Sequence, residues 1–296
     1  MRTAFVLSGG GSLGAVQVGM LLALEERGVR ADMVVGSSVG ALNGAWVAAH
    51  PATPMRRLAE VWTGLRRRDV FPLGPTGLAG LAGRRPHLVS PAPLERLVRR
   101  HLPHADIADF PIPLHVVATE VNTGMEVVLA RGDAVQAILA SAAIPGVFPP
   151  VRIGSHLLMD GGVVDNTPVS LAVRLGAERV YVLPTGYACA LDAAPSSALG
   201  MALHAVTLTI EQRLINDVER YESECELHVI PPLCPLAVTP ADFSRSTELI
   251  SRAHRFAAEW LDTPHPQRQQ HRLLGFHHHR HGAAGTIGAG TGDERL

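Results

Sequence analysis

Short apolar runs alternate with longer stretches of helical period along most of this chain. "TAFVLS" (3–8) reads as a short buried strand, and "LGAVQVGMLLALEERG" (13–28) as a helix with Gly28 at its C-terminal end. "DMVVG" (32–36) gives a second strand and "VGALNGAWVAAH" (39–50) a second helix. Further strand-like runs fall at 114–121, 125–130, 156–160, 179–184 and 226–231. Helical patterns separate them at 92–101, 133–142, 167–175, 197–220 and 240–261. Near-continuous apolar strands alternating with helices predict an α/β fold, a three-layer α/β/α domain with a largely parallel central sheet.

Two segments break the pattern. Residues 66–85, "RRRDVFPLGPTGLAGLAGRR", form a Gly/Pro/Leu-rich stretch with arginines at both ends. Beyond Asp262 the chain turns polar, glycine-rich and histidine-rich, with little to bury. The expected organisation is one domain over 1–262 and a disordered tail over 263–296. His277, His278, His279 and His281 lie in that tail, where no rigid element fixes them, so no metal site is assigned.

Composition narrows the function. A chain of 296 residues, 47% hydrophobic, can bury a large core. A formal net charge of −1 gives no footprint for a nucleic-acid partner. Cys189, Cys225 and Cys234 lack paired spacing, which fits free thiols in a reducing compartment. "MRTAFVLSGGG" is too short an apolar run for a signal, and no stretch reaches the ~18 apolar residues of a membrane span. A cytoplasmic location is expected.

The chemistry concentrates in two glycine-rich turns. "SGGGSLGA" (8–15) follows the first strand, and Gly9, Gly11 and Gly14 satisfy G-x-G-x-x-G, the dinucleotide fingerprint. That reading needs an acidic residue at the end of the second strand, whereas Asp32 starts it. A phosphate loop needs a lysine after the glycines, and none follows. No cofactor is therefore expected, with a dinucleotide-binding oxidoreductase kept as an alternative. The second strand runs into Gly36-Ser37-Ser38-Val39-Gly40, G-x-S-x-G at a strand-to-helix turn. Such an elbow holds its central serine exposed on a strained turn, and a plain serine N-cap is the competing reading. The usual α/β-hydrolase order does not fit, because only one strand precedes the serine strand.

With "GGGSLG" (9–14), "GSSVG" (36–40), "SAAIPGVFPPV" (141–151) and "DGGVVDNTPV" (160–169), the chain resembles the bacterial patatin-like phospholipases, serine acyl hydrolases that use a Ser–Asp dyad. The resemblance spans roughly residues 3–190. It implies Ser38 as nucleophile, Asp160 as proton acceptor and the N–H groups of Gly9, Gly10 and Gly11 as an oxyanion hole. Gly14, Gly36, Gly40, Gly161 and Gly162 support those motifs. It implies a lipid or other acyl-ester substrate and no metal or organic cofactor. One departure is Leu13, where the family's loop usually carries Arg or Lys. A catalytically silent lipid-binding protein on the same fold is the other alternative.

Read from its own residues, Asp160 ends the apolar run "HLLMD" and precedes two glycines, which also suits an ordinary turn. Asp165, Asn166 and Pro168 read as the start of a helix from Thr167. A histidine base would make a triad instead, drawn from His115, His156, His204, His228 or His254. Phe71, Leu73, Leu78 and Leu81, with Arg66, Arg67, Arg68, Arg84 and Arg85, make 66–85 a candidate peripheral membrane contact.

Overall fold

Side-chain alternation along the strands divides the core in two. Phe5 and Leu7 point into one cluster, Ala4 and Val6 into another, and the neighbouring strands repeat the split. The computed structural model describes residues 1–72, 87–187 and 197–264. Among these, eight strands form a single sheet: β1 (Thr3–Leu7), β2 (Met33–Ser37), β3 (Leu114–Glu120), β4 (Glu126–Leu129), β5 (Val151–Ile153), β6 (His156–Asp160), β7 (Arg179–Leu183) and β8 (Glu226–Val229). The helices are α1 (Gly14–Glu26), α2 (Val39–Ala49), α3 (Met55–Gly64), α4 (Arg67–Val70), α5 (Ala92–His101), α6 (Ala134–Ser141), α7 (Val169–Arg174), α8 (Ala198–Tyr221) and α9 (Ser246–Asp262). The larger cluster packs α1, α2, α3, α5, α6 and α9 on one face, and α7 and α8 cover the other. This is the three-layer α/β/α arrangement.

The sheet is parallel through β3-β2-β1-β7-β8 and antiparallel where β4, β5 and β6 join. Its registers on β3 decide where the site forms. Val116 and Val117 pair with β2 on one edge and β4 on the other. Ala118 and Thr119 pair with β4 and with β6. A strand has only two edges, so β6 lies on the same edge as β2 and continues where β2 stops. Ser37 pairs with Val117 and Asp160 with Ala118, one step further on. Two segments over a hundred residues apart thus meet end to end.

Every expected strand is present, and β5 is an addition: three residues joined to β6 through Gly154 and Ser155, with Gly154 at φ 59°. The amphipathic segment α3, which buries Met55, Leu58 and Trp62, was not anticipated either. Two helices begin later than expected. The last starts at Ser246, and α7 starts at Val169 with Pro168 before it. Asp165 does not cap α7. Its buried carboxylate accepts from Ser170 Oγ at 3.3 Å and pairs with Arg213 of α8 at 3.3 Å. Residues 265–296, expected to be a disordered tail, lie outside the described residues, as does Cys189.

Helix α1 is buried along most of its length, and Gly19 lets α9 approach it closely. A Cβ at Gly19 would lie 2.5 Å from the Ile250 carbonyl oxygen and 2.7 Å from the His254 nitrogen. Backbone cannot yield as a flexible side chain does. Gly19→Ala should therefore destabilise the fold by about 1–3 kcal/mol, read as a lowered urea midpoint at unchanged slope. An unchanged midpoint would show that α9 is not held against α1 as described.

Candidate active site

The turn from β2 into α2 is the strained point of the backbone. Ser38 has φ 53° and ψ −122°, and among the described residues it alone combines a positive φ with a side chain. The glycines on either side permit the turn. A Cβ at Gly40 would sit 2.1 Å from the Leu7 carbonyl oxygen, and one at Gly36 would sit 2.5 Å from the Gly40 carbonyl oxygen. Ser38 occupies the N-cap position of α2, yet its hydroxyl makes no capping bond. Ser38 Oγ instead donates to Asp160 Oδ2 at 2.8 Å. That choice of partner removes the plain N-cap reading.

Ser141, at the end of α6, holds the elbow from below. Its Oγ accepts from the Ser38 backbone N–H at 2.8 Å and donates to the Val117 carbonyl at 2.5 Å. One hydroxyl thus ties the strained residue to β3. The sequence offered Ser141 only as one letter of "SAAIPGVFPPV", with no role attached.

Asp160 is buried, 6% exposed. Its Oδ1 accepts from the Gly162 N–H at 2.7 Å, as in an ordinary Asp-Gly turn, while its Oδ2 takes the Ser38 hydroxyl. Thr119 Oγ1 donates to its carbonyl at 2.8 Å. Burial raises the carboxyl to about 6, and the hydrogen bonds from Ser38 and Gly162 pull the other way without offsetting it. A base near that value ionises at neutral pH and still accepts a proton readily. No histidine bonds to Ser38 or Asp160 among the described residues. His228 and His254 sit against Glu226 and Glu26, and His156 is exposed.

The loop after β1 faces this pair. A Cβ at Gly9 would lie 3.1 Å from Ser38 Cβ and 2.3 Å from Asn166 Oδ1, so no side chain fits there. The Gly9 N–H donates to the Asn166 carbonyl at 3.1 Å and is not free for a ligand. The N–H groups of Gly10 and Gly11 have no acceptor among the described residues, and both residues are half-buried at the opening. The expected three-donor set therefore reduces to two free donors. Thr185 Oγ1 fixes the loop by donating to the Gly9 carbonyl at 2.6 Å. Gln17 Nε2 donates to the Ser8 carbonyl at 2.8 Å, and Asn43 Nδ2 donates to Gln17 Oε1 at 2.9 Å. Trp62 Nε1 completes the chain by donating to Asn43 Oδ1 at 2.9 Å. Asp32, the one acid that might have served a dinucleotide, accepts from the Thr3 N–H where β1 begins, at the opposite end of the sheet.

From Ser38 a cavity runs between α2, α3, α5 and α6. Its walls are almost wholly apolar, with Leu42, Leu58, Trp62, Leu94, Ile138 and Phe148 among them. Phe71 belongs to this wall. Its ring stacks on Phe148 at 5.5 Å and meets Phe243 at 6.0 Å, so it faces the cavity. Arg66, at the N-cap of the short helix α4, and Arg67 and Arg68 within it are exposed, while Leu73, Leu78, Leu81, Arg84 and Arg85 lie outside the described residues.

The profile of the patatin-like phospholipases matches residues 5–173, more than half of the chain, including Ser38, Asp160 and the glycine loop. The chain belongs to the patatin-like phospholipase family. Its relatives include the neuropathy target esterase sws of Drosophila melanogaster, 29% identical over 184 residues, covering 61% of this chain and 13% of that protein. An NTE family protein of Mycobacterium bovis is 32% identical over 177 residues, covering 60% of this chain and 47% of the other. The lysophospholipase NTE1 of Mycosarcoma maydis is 31% identical over 190 residues, covering 63% and 10%. The chain thus spans half or less of the length of these relatives. Among solved structures, VipD from Legionella pneumophila aligns with TM-score 0.45 and 15% identity over 92% of this chain and 66% of that one.

Against the usual pattern of the patatin-like loop, Leu13 is informative. It lies in a 3-10 turn (Gly11–Leu13) and is 1% exposed within the larger core cluster, so a cation at that side chain would be buried. The loop is held by Gln17, Ser12 and Thr185 instead. Ser12 N–H donates to the Pro240 carbonyl at 2.8 Å, and its Oγ donates to the Thr239 carbonyl at 3.1 Å.

Removal of the Ser141 hydroxyl should loosen the elbow while leaving both members of the Ser38–Asp160 pair in place. Ser141→Ala is expected to lower kcat about tenfold or more and to destabilise the fold by about 1–3 kcal/mol, since a buried N–H loses its acceptor. Ester kinetics and calorimetry on the same sample check both. A variant with full kcat would show that the tie is not needed for catalysis.

Proposed function

We propose that this chain is a lipid acyl hydrolase that cleaves carboxylic esters through an acyl-Ser38 intermediate. The observation that carries the reading is the 2.8 Å hydrogen bond from Ser38 Oγ to buried Asp160 Oδ2 at the end of an apolar cavity. Two relatives point the same way, one named an esterase and one a lysophospholipase.

In the first half-reaction Ser38 Oγ attacks the ester carbonyl carbon while its proton passes to Asp160 Oδ2. The carbonyl π electrons move to oxygen, and the resulting oxyanion accepts hydrogen bonds from the Gly10 and Gly11 N–H groups. Each such donor is worth about 2.7–4 kcal/mol in the transition state. The positive end of α2, which starts at Val39, adds to the field at Ser38. Collapse of the intermediate breaks the bond to the leaving alcohol, which departs with the proton from Asp160. Water then attacks the acyl-enzyme, Asp160 accepts its proton, and that proton returns to Ser38 as the carboxylic acid leaves. The acyl chain lies along the apolar cavity throughout.

A fluorophosphonate probe with intact-mass readout should add one label to the wild type and none to Ser38→Ala. Asp160→Asn should not label, because a neutral amide cannot take the proton. Single alanine variants of His115, His156, His204, His228 and His254 should keep most of the labelling. A folded histidine variant that fails to label would replace the dyad by a triad.

The raised carboxyl has two further consequences. The acidic limb of kcat/KM should fall near pH 6, within the range of a histidine, so the mutants and not the limb distinguish the two bases. Between 3.8 and about 6 the folded state holds a proton that the unfolded state has lost, so stability falls as pH rises through that window. Asp160→Asn should therefore be more stable than the wild type at pH 8, by on the order of 2 kcal/mol, while losing activity. Calorimetry at pH 5 and pH 8 tests the sign. A difference that did not grow with pH would mean that Asp160 is not buried as described.

A further inference from the structure

The cavity has a definite far end. Helix α2 leaves the site at Ser38, and its cavity-lining positions Val39, Leu42, Asn43, Ala45 and Trp46 step away from the serine. Beyond Trp46 no residue of α2 lines the cavity, although the helix continues to Ala49. The last turn of α5 meets Trp46 there, with His101 lining the same cavity. The Trp46 ring stands between two imidazoles, stacked on His50 at 4.4 Å and tilted against His101 at 5.9 Å. All three residues are half-buried, so this aromatic group is the partition between the cavity and solvent. The indole Nε1 is buried and has no hydrogen-bond partner among the described residues. Hydrogen bonding within the fold therefore gives no reason for an indole at this position, whereas its bulk closes the cavity.

Resting on the acyl-hydrolase reading above, we infer that Trp46, backed by His50 and His101, sets the acyl-chain length and selects medium-chain substrates. The distance follows from helix geometry. Eight residues separate Ser38 from Trp46, which at 1.5 Å per residue is about 12 Å, and helical side chains lean back toward the N-terminus and shorten it. An extended chain bound through its carbonyl carbon to Ser38 fills that length with about eight to ten carbons. Longer chains meet the ring. Shorter ones leave apolar wall uncovered, and each missing methylene loses up to about fourfold in binding.

The test is a chain-length series read in two ways. With p-nitrophenyl esters from butanoyl to hexadecanoyl, kcat/KM of the wild type should climb to a maximum at about eight to ten carbons and then fall. In Trp46→Ala the climb should continue to tetradecanoyl or beyond, raising the tetradecanoyl-to-octanoyl ratio about tenfold or more. The butanoyl ester, whose chain ends short of the ring, serves as the reference to which the longer chains are normalised in each variant. Trp46→Phe should keep the wild-type maximum, and Trp46→Leu reads the same wall if the alanine variant does not fold. The second reading is calorimetric binding of straight-chain methyl ketones, neutral mimics of the ester, to Ser38→Ala with and without Trp46→Ala. It reports cavity length whether or not any ester is cleaved, so a failed hydrolase reading and a failed partition give different results. Identical chain-length profiles with and without the Trp46 ring, in either measurement, would overturn the inference.

Discussion

The hydrogen bond between Ser38 and Asp160 joins residues 122 positions apart, and it exists because β3 is longer than β2. Strand β2 pairs with Leu114–Val117 and then turns into α2, leaving the rest of that edge of β3 unpaired. Strand β6 arrives antiparallel on the vacated edge and ends opposite Ala118, so its last residue is Asp160. Two backbone ladders on a common strand fix the pair to within a register step, and a slip of one residue in either would turn the side chain to the other face. Ser141 binds the same carbonyl of Val117 that marks the boundary between the two pairings. The serine, its strained turn and the carboxylate thus share a single reference strand.

That geometry also determines the electrostatics. Asp160 is taken out of water with a hydroxyl and one backbone N–H as its bonded partners and no cation among them, so desolvation dominates and the carboxyl rises to about 6. Asp165, five residues on, also rises to about 6, although Arg213 opposes the shift there. The two acids differ in what they face. Asp165 is bound into the packing of α7 and α8, whereas Asp160 presents Oδ2 to a hydroxyl on a strained turn. A cation beside Asp160 would have stabilised the carboxylate and weakened it as a base. The burial that raises its basicity also makes the ionised carboxylate a burden on the fold.

Much of this was legible in the sequence, and the losses have physical causes. The apolar runs identified seven strands, most plainly β1, β2, β3 and β7, since strands buried on both faces read as continuous hydrophobic segments. They did not reveal β5, whose three residues are too few to show a pattern, or the reversal of β4 and β6, since direction leaves no local trace. G-x-S-x-G and Asp-Gly-Gly were visible because backbone crowding demands glycine at fixed offsets. Ser141, Gln17 and Asn43 were not visible. Each acts through hydrogen bonds to partners elsewhere in the chain, and nothing in a lone serine or amide signals those partners. The place of Phe71 in the cavity wall was hidden for a related reason: nothing in a Gly/Pro-rich stretch shows that Phe148 and Phe243 are brought against it.

The polar chain from Trp62 through Asn43 and Gln17 to the Ser8 carbonyl couples the substrate cavity to the glycine loop. Trp62 and Asn43 line the cavity, while Gln17 supports the loop whose next residues, Gly10 and Gly11, carry the free N–H groups. Every bond in this chain is buried and each amide is satisfied, with Asn43 also bonded to the Gly14 carbonyl and Gln17 to that of Leu183. Buried networks of this kind are stiff when complete and unfavourable when one member is missing. With Leu13 packed into the core, the loop takes its shape from amides, hydroxyls and backbone, without a charged side chain beneath the two donors. In the proposed reaction, the readiness of these donors for an oxyanion therefore depends on a wall that the acyl chain itself would touch. Filling that wall and orienting the donors are parts of one packing arrangement.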